Sequence, residues 1–212
     1  FMRTGMIEQD SSSGRYFLGS HAVDIGLSAL GRLDPVRLAG PILEDLCEEI
    51  QETVALAVWG NRGATIVRIV DSGAPITIAL RAGTVLPLCR SATGQAFAAF
   101  FRSPFLKQML DQELREISEA GKIAITTARR QLEKTLTEIR RHGISRASGS
   151  LTPGINGFSA PVFDHSGMMV AAITSLGTVG EFSVEWDSRV ARAMRAAASN
   201  LSRKLGFQHP EG

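Results

Sequence analysis

Apolar and polar positions recur along this chain with two different periods, and the switches between them mark its elements. Residues 6–9 and 15–18 are short extended runs around the turn formers Asp10-Ser11-Ser12-Ser13-Gly14, which predicts a β-hairpin. A lone hairpin is marginal in water, so this one must belong to something larger. Val23, Leu27 and Leu30 fall on one helical stripe, and Gly31 suits a C-terminal cap. Asp34-Pro35 reads as an N-cap followed by proline in the first turn of a helix. That helix runs to about Gln51 with Val36, Ala39, Leu43, Leu46 and Ile50 on one face. Residues 53–59 are almost continuously apolar, as in a strand covered on both sides. Residues 64–71 and 74–81 are rich in β-branched side chains and complete an antiparallel meander.

Residues 83–101 begin as a loop and end as a helix from about Thr93. Ser103-Pro104 opens a short helix over 105–110. A longer one over 127–142 turns Ala128, Leu132, Leu136 and Ile139 inward, with mixed charges on its solvated face. Gly, Ser and Pro crowd residues 145–154, which read as a loop. Strands over 155–163 and 168–176 flank Asp164-His165-Ser166-Gly167. A final helix over 183–205 presents Val190, Met194, Ala197, Leu201 and Leu205. Hairpin-joined strands with helices gathered elsewhere indicate an α+β domain with an antiparallel sheet.

Composition narrows the class. The chain has 212 residues, 44% hydrophobic and 21% charged, enough for a packed core. With 23 basic and 21 acidic residues the net charge is +2, which gives no electrostatic footprint for nucleic acid. Cys47 and Cys89 form neither a disulfide framework nor a metal pattern, so a reducing cytoplasm is the simplest location. No apolar run has the length of a membrane span, and no signal peptide precedes the hairpin. The chain opens on Phe1 rather than Met, which suggests further residues upstream.

Candidate chemistry is sparse. His21, His142, His165 and His209 share no element at ligand spacing, so no metal site is expected. There is no nucleophile elbow, P-loop, dinucleotide fingerprint or carboxylate pair, so no catalytic residue or cofactor is expected. Cys89-Arg90-Ser91-Ala92-Thr93-Gly94 opens a helix with small residues. Its free N–H groups can hold a carboxylate or phosphate, or Ser91 or Thr93 can simply cap the helix. Cys89 reads as a small buried hydrophobe and Arg90 as a surface residue without a partner. The 145–154 loop contains no carboxylate. With Ser145, Arg146, Ser148, Ser150, Thr152 and the following Asn156 it suits an uncharged or anionic ligand, or is a plain connector.

The succession GMIEQDSSSGRYFLG, PILEDLCEEIQETVALAV, LPLCRSATGQAFAAF and RRHGIS…PGINGFSAPVFDHSGMMVAAITSLG resembles the IclR family of bacterial transcriptional regulators over nearly the whole chain. The resemblance implies a β-hairpin wing from a winged helix-turn-helix over 1–19, a linker helix over 20–33 and a GAF-like effector-binding domain over 34–208. On it, Arg3, Ser12, Ser13 and Arg15 are wing residues facing DNA. The intact protein binds operator DNA as a homodimer or homotetramer. This chain, with a wing but little of the base-reading helix, binds it poorly. The implied effector pocket takes polar contacts from Ala92 and Thr93 and an apolar wall from Ile78, Leu86 and Ile155. Gly157, Thr174 and Leu176 come from the late strands, with Cys89, Ala147 and Asn156 beside them. Relatives that bind small 2-oxo acids carry acidic residues where this chain has Ser145–Ser150 without one, and polar residues can stand at the positions of Gly157 and Leu176. These departures imply an effector larger than glyoxylate or pyruvate: an aromatic or medium-sized carboxylic acid from a catabolic pathway. Two other classes compete. A GAF-like enzyme of the methionine-sulfoxide-reductase kind would need clustered cysteines, and an occluded, ligand-free oligomerisation module would fill the space at Ala92, Ala147 and Gly157.

Overall fold

The computed structural model describes residues 4–30, 33–73 and 80–208; of residues 27, 29 and 30 it describes the backbone. The chain divides into two units, Phe1–Asp34 and Pro35–Gly212. In the first, β1 (Ile7–Gln9) pairs antiparallel with β2 (Tyr16–Leu18), with Glu8 opposite Phe17. The Asp10 carboxylate organises the turn by accepting the Ser12 N–H at 2.7 Å and the Ser12 and Ser13 hydroxyls at 2.6 and 3.0 Å. These bonds, the Ser12 hydroxyl's foremost, hold its pKa down at about 2. Helix α1 (Ser20–Leu30) follows.

In the second unit α2 (Pro35–Ile50) buries the predicted stripe of Ala39, Leu43, Leu46 and Ile50. Five antiparallel strands follow in the order β4-β3-β7-β6-β5: β3 (Thr53–Gly60), β4 (Gly63–Val70), β5 (Ser145–Ser148), β6 (Ile155–Phe163) and β7 (Met169–Thr178). Helix α3 (Ala92–Phe100) lies on one face, while α2 and α6 (Arg189–Lys204) pack on the other. Helices α4 (Pro104–Gly121) and α5 (Ile125–His142) build a further layer against α3 through Ala98, Leu114, Leu132, Leu136 and Ile139. This is the α+β arrangement with an antiparallel sheet flanked by helices that the pattern indicated.

Three boundaries differ from the expectation, and a fourth expected element lies mostly outside the described residues. The short helix over 105–110 continues to Gly121, because Leu114 and Ile117 extend the stripe of Leu106 and Leu110 through a charged sequence. Residues 145–148 are an edge strand rather than loop, paired with Ser159 to Asn156 of β6. The last helix starts at Arg189, capped by Ser188, instead of at Ser183. The preceding carbonyls of Val184, Trp186 and Asp187 accept guanidinium donors from Arg146, Arg195 and Arg192, so they are engaged outside any helix. Of the expected third meander strand, residues 74–81, residues 74–79 lie outside the described residues, and Leu80 and Arg81 are not in a strand. Residues 83–86 meet the outer edge of β4, with Ile66 N–H donating to Thr84 and Leu86 N–H to Ala64.

Candidate effector site

The site is built around the start of α3. Its N-cap, Ser91, accepts the Gly94 N–H at 2.8 Å and donates its hydroxyl to the Pro87 carbonyl at 2.7 Å. The turn winds so tightly that a Cβ on Gly94 would lie 2.1 Å from that carbonyl oxygen, so only glycine fits. Glu113 of α4 fastens the same turn from outside, each carboxylate oxygen accepting one N–H, of Leu88 and of Cys89, at 2.8 Å. Among the described residues no acceptor meets the N–H groups of Ala92 and Thr93. They form the positive end of the helix dipole.

The sheet supplies the floor. Strand alternation puts Ala147, Gly157, Ser159, Thr174 and Leu176 on the face toward α3. Gly157 leaves room that the Leu176 side chain leans into; a Cβ there would lie 2.6 Å from the Leu176 Cδ2 and 3.9 Å from the Ala92 Cβ. Beside them the hydroxyls of Thr93 and Thr174 are 2.8 Å apart, and those of Thr174 and Ser159 are 2.9 Å apart. Three hydroxyls joined by two hydrogen bonds leave one O–H proton over. If Ser159 donates to Thr174, the spare proton sits on Thr93 or Thr174, both of which border the cavity described next. The opposite direction strands it on fully buried Ser159, whose hydroxyl makes no other hydrogen bond among the described residues.

Above this floor lies a cavity of about 230 Å³. Leu80, Leu86, Leu151, Ile155 and Leu176 give it an apolar wall; Ser91, Thr93, Thr174, Thr84, Ser150 and Thr152 contribute hydroxyls. No charged side chain lines it among the described residues. A larger groove of about 640 Å³ runs between α4 and α5, but it is shallow and already crossed by the Asp111–Arg129 ion pair at 2.8 Å. Among the described residues, no group of three or more His, Cys, Asp or Glu could hold a metal ion. No described helix is long and apolar enough to cross a membrane.

A family model described as "Bacterial transcriptional regulator IclR C-terminal" matches residues 27–203. The chain belongs to the IclR family. It is similar to the solved structure of Pseudomonas aeruginosa HmgR, with 33% identity and a TM-score of 0.88 over 99% of this chain and 82% of that one. It is similar also to Thermotoga maritima IclR, 25% identical with a TM-score of 0.69, covering 97% and 82% of the two chains. The HTH-type transcriptional regulator KipR of Bacillus subtilis strain 168 is 24% identical over 203 residues, 96% of this chain and 80% of that relative. The family model and KipR are both described as transcriptional regulators, and this IclR-family chain is a transcriptional regulator.

Of the residues singled out in the sequence, Leu86, Ala92, Thr93, Ala147, Ile155, Asn156, Gly157, Thr174 and Leu176 border the cavity. Alternation turns the Asn156 side chain to the other face, where its Nδ2 donates to the Phe182 carbonyl at 2.7 Å. Cys89 lies elsewhere, packed against the α3–α4–α5 cluster. Burial, reinforced by the Glu113 carboxylate, pushes its thiol up to about 12. Ile78 and Arg3 lie outside the described residues. Ser12, Ser13 and Arg15 are exposed at the hairpin. Arg146, the one cation of the 145–154 stretch, faces away from the cavity; its guanidinium sits 4.0 Å over the Trp186 ring and donates to the Val184 carbonyl. Arg90 is exposed yet has a partner, the Ser150 carbonyl. Composition missed Ser159 as part of the site, although its place two residues from Gly157 in a strand puts both on one face. It missed Leu80, Thr84 and Leu151 as well, which only the folded loops bring to the cavity.

Proposed function

We propose that this chain is the sensing part of a ligand-responsive regulator of a catabolic operon, and that its effector is a small organic acid with an apolar, preferably aromatic, body. The observation that carries this reading is the polarity of the cavity. One end offers donors, the N–H groups of Ala92 and Thr93 and a spare hydroxyl proton, and most of the remaining wall is aliphatic, broken by Thr84, Ser150 and Thr152. A carboxylate fits a helix N-terminus without a paired cation. A cavity of about 150 Å³ already holds benzene, so the one here has room for a ring and its carboxylate, whereas pyruvate would leave much of it unfilled. The open space beside Ala92 and Ala147 speaks for a sensor over a ligand-free oligomerisation module, although at Gly157 the Leu176 side chain takes up the room.

On this reading residues 34–208 form the effector domain, 20–33 the linker helix and 1–19 the wing, with Ser12, Ser13 and Arg15 toward DNA phosphates. The intact cytoplasmic protein binds operator DNA as a homodimer or homotetramer. The acid shifts DNA affinity by binding two arrangements of that assembly unequally.

A thermal-shift panel of benzoate, phenylacetate, hexanoate and pyruvate tests the proposal. A bound acid at 100 times its Kd adds about 2.7 kcal/mol, or about 5–10 °C for a chain of this size. A dose-dependent rise with the aromatic acids that is lost in Thr93→Trp is expected. Stabilisation by pyruvate alone, or by none of the four, would overturn it.

A further inference from the structure

The outer wall of the cavity is a short segment, residues 150–153, that contributes Ser150, Leu151 and Thr152. Its flanks are Gly149 and Gly154, at φ 61° and 81°. An added Cβ at either would meet nothing within 4 Å, so glycine is required there by the left-handed backbone and not by space. The flanks are anchored, Gly149 N–H donating to Ile155 and Val179 N–H to the Gly154 carbonyl, each at 2.9 Å. The segment between them is loose by comparison: Leu151 is 40% exposed. One long-range clasp holds it. Arg90 Nε and Nη2 donate to the Ser150 carbonyl at 3.2 and 3.1 Å, and the Ser150 hydroxyl donates back to the Arg90 carbonyl at 2.8 Å. Arg90 directly precedes the N-cap of α3. Among the described residues it is the charged side chain that hydrogen-bonds a lining residue.

We infer that Arg90 is the positioning and selectivity residue of the effector site. Clasped to Ser150 it shuts residues 150–153 over the cavity, and its guanidinium, bonded to the carbonyl of a lining residue, favours acids over neutral molecules of the same shape. This rests on the acid-sensing reading above. The two roles separate chemically. Lysine keeps the charge but cannot present the planar fork that puts two N–H groups on one carbonyl. Glutamine, shorter and neutral, removes the fork and the charge together.

The test uses the full chain, with benzoate and phenylacetate as probes and benzamide and phenylacetamide as neutral matches. Affinities come from calorimetry and release rates from NMR line shapes, after ligand-free melts confirm that each variant folds. Wild type is expected to prefer the acids. Arg90→Gln, which loses the fork and the charge together, weakens the amides about fivefold and the acids several-fold further, and that extra deficit for the acids shrinks as salt rises. Arg90→Lys keeps the acid preference but releases both kinds of probe about fivefold faster. Wild-type rates and affinities in both variants overturn the inference, as does an equal loss of acids and amides in Arg90→Gln. Wild type that binds no acid overturns the acid-sensing reading itself and this inference with it, an outcome seen without any variant.

Discussion

The two faces of the five-stranded sheet are made by the same strands, yet they do opposite work. Toward α2 and α6 stand Val54, Leu56, Phe158, Val162 and Ile173, fully buried. Toward α3 the same strands carry Ala55, Ala57, Gly157, Ser159, Ala172 and Thr174. Large side chains fill one face; small and hydroxylated ones leave a hollow on the other. A cavity of this kind is made by subtraction, and one face can lose volume because the other supplies the packing.

Substitutions of neighbours in β6 would break that comparison most sharply. Phe158→Ala removes a ring 5.6 Å from that of Phe182 and costs about 3–5 kcal/mol, roughly 10 °C in a melt, while acid binding at lower temperature survives. If it abolished acid binding in the folded protein, the faces would not be independent. Gly157→Val costs about 1–3 kcal/mol as its branched side chain displaces Leu176, and calorimetry then detects no aromatic acid. Thr174→Val keeps the shape and deletes both hydroxyl links, for about 1–2 kcal/mol of stability. It should weaken acids more than their amides, and an equal loss would mean that the hydroxyl chain merely packs. The smallest effect concerns Cys89, whose thiol stays protonated at neutral pH and should react with a thiol reagent far more slowly than a free cysteine. Because its folded value of about 12 lies above the ordinary 9.0, the stability it contributes is complete below pH 9 and is lost as pH rises toward 12, which melts across that range would show.

What the sequence reveals follows the same division. Helix α5 and strands β3, β6 and β7 are legible because a periodic apolar stripe is a direct record of a buried face. β5 is not, because a four-residue edge strand needs only its backbone paired, and Ser145 earns its burial through a hydrogen bond to the Ala92 carbonyl. The helix start at Ser91–Gly94 shows in the run of small residues, but the partners of Arg90 and Arg146 do not. Each is a carbonyl far along the chain, at Ser150 and Val184, and a carbonyl has no residue type to betray it. Cys89 illustrates the limit of adjacency. It sits three residues from Ala92, yet the turn that starts α3 sends it toward α4.

The hydroxyl chain beneath the cavity also bears on the order of folding. Ser159 and Thr174 are 15 residues apart, joined through one hairpin whose turn is pinned by Asp164 accepting from Ser166 and Met168. Thr93 and Thr174 are 81 residues apart. Closing the longer loop costs about 1.5 kcal/mol more in chain entropy, so the hairpin is expected to form its contacts ahead of the docking of α3. On the proposed reading, an acid that needs both partners has nothing to hold in the earlier state. It therefore acts on the reverse step, undocking, and its presence should slow unfolding while leaving the refolding rate unchanged.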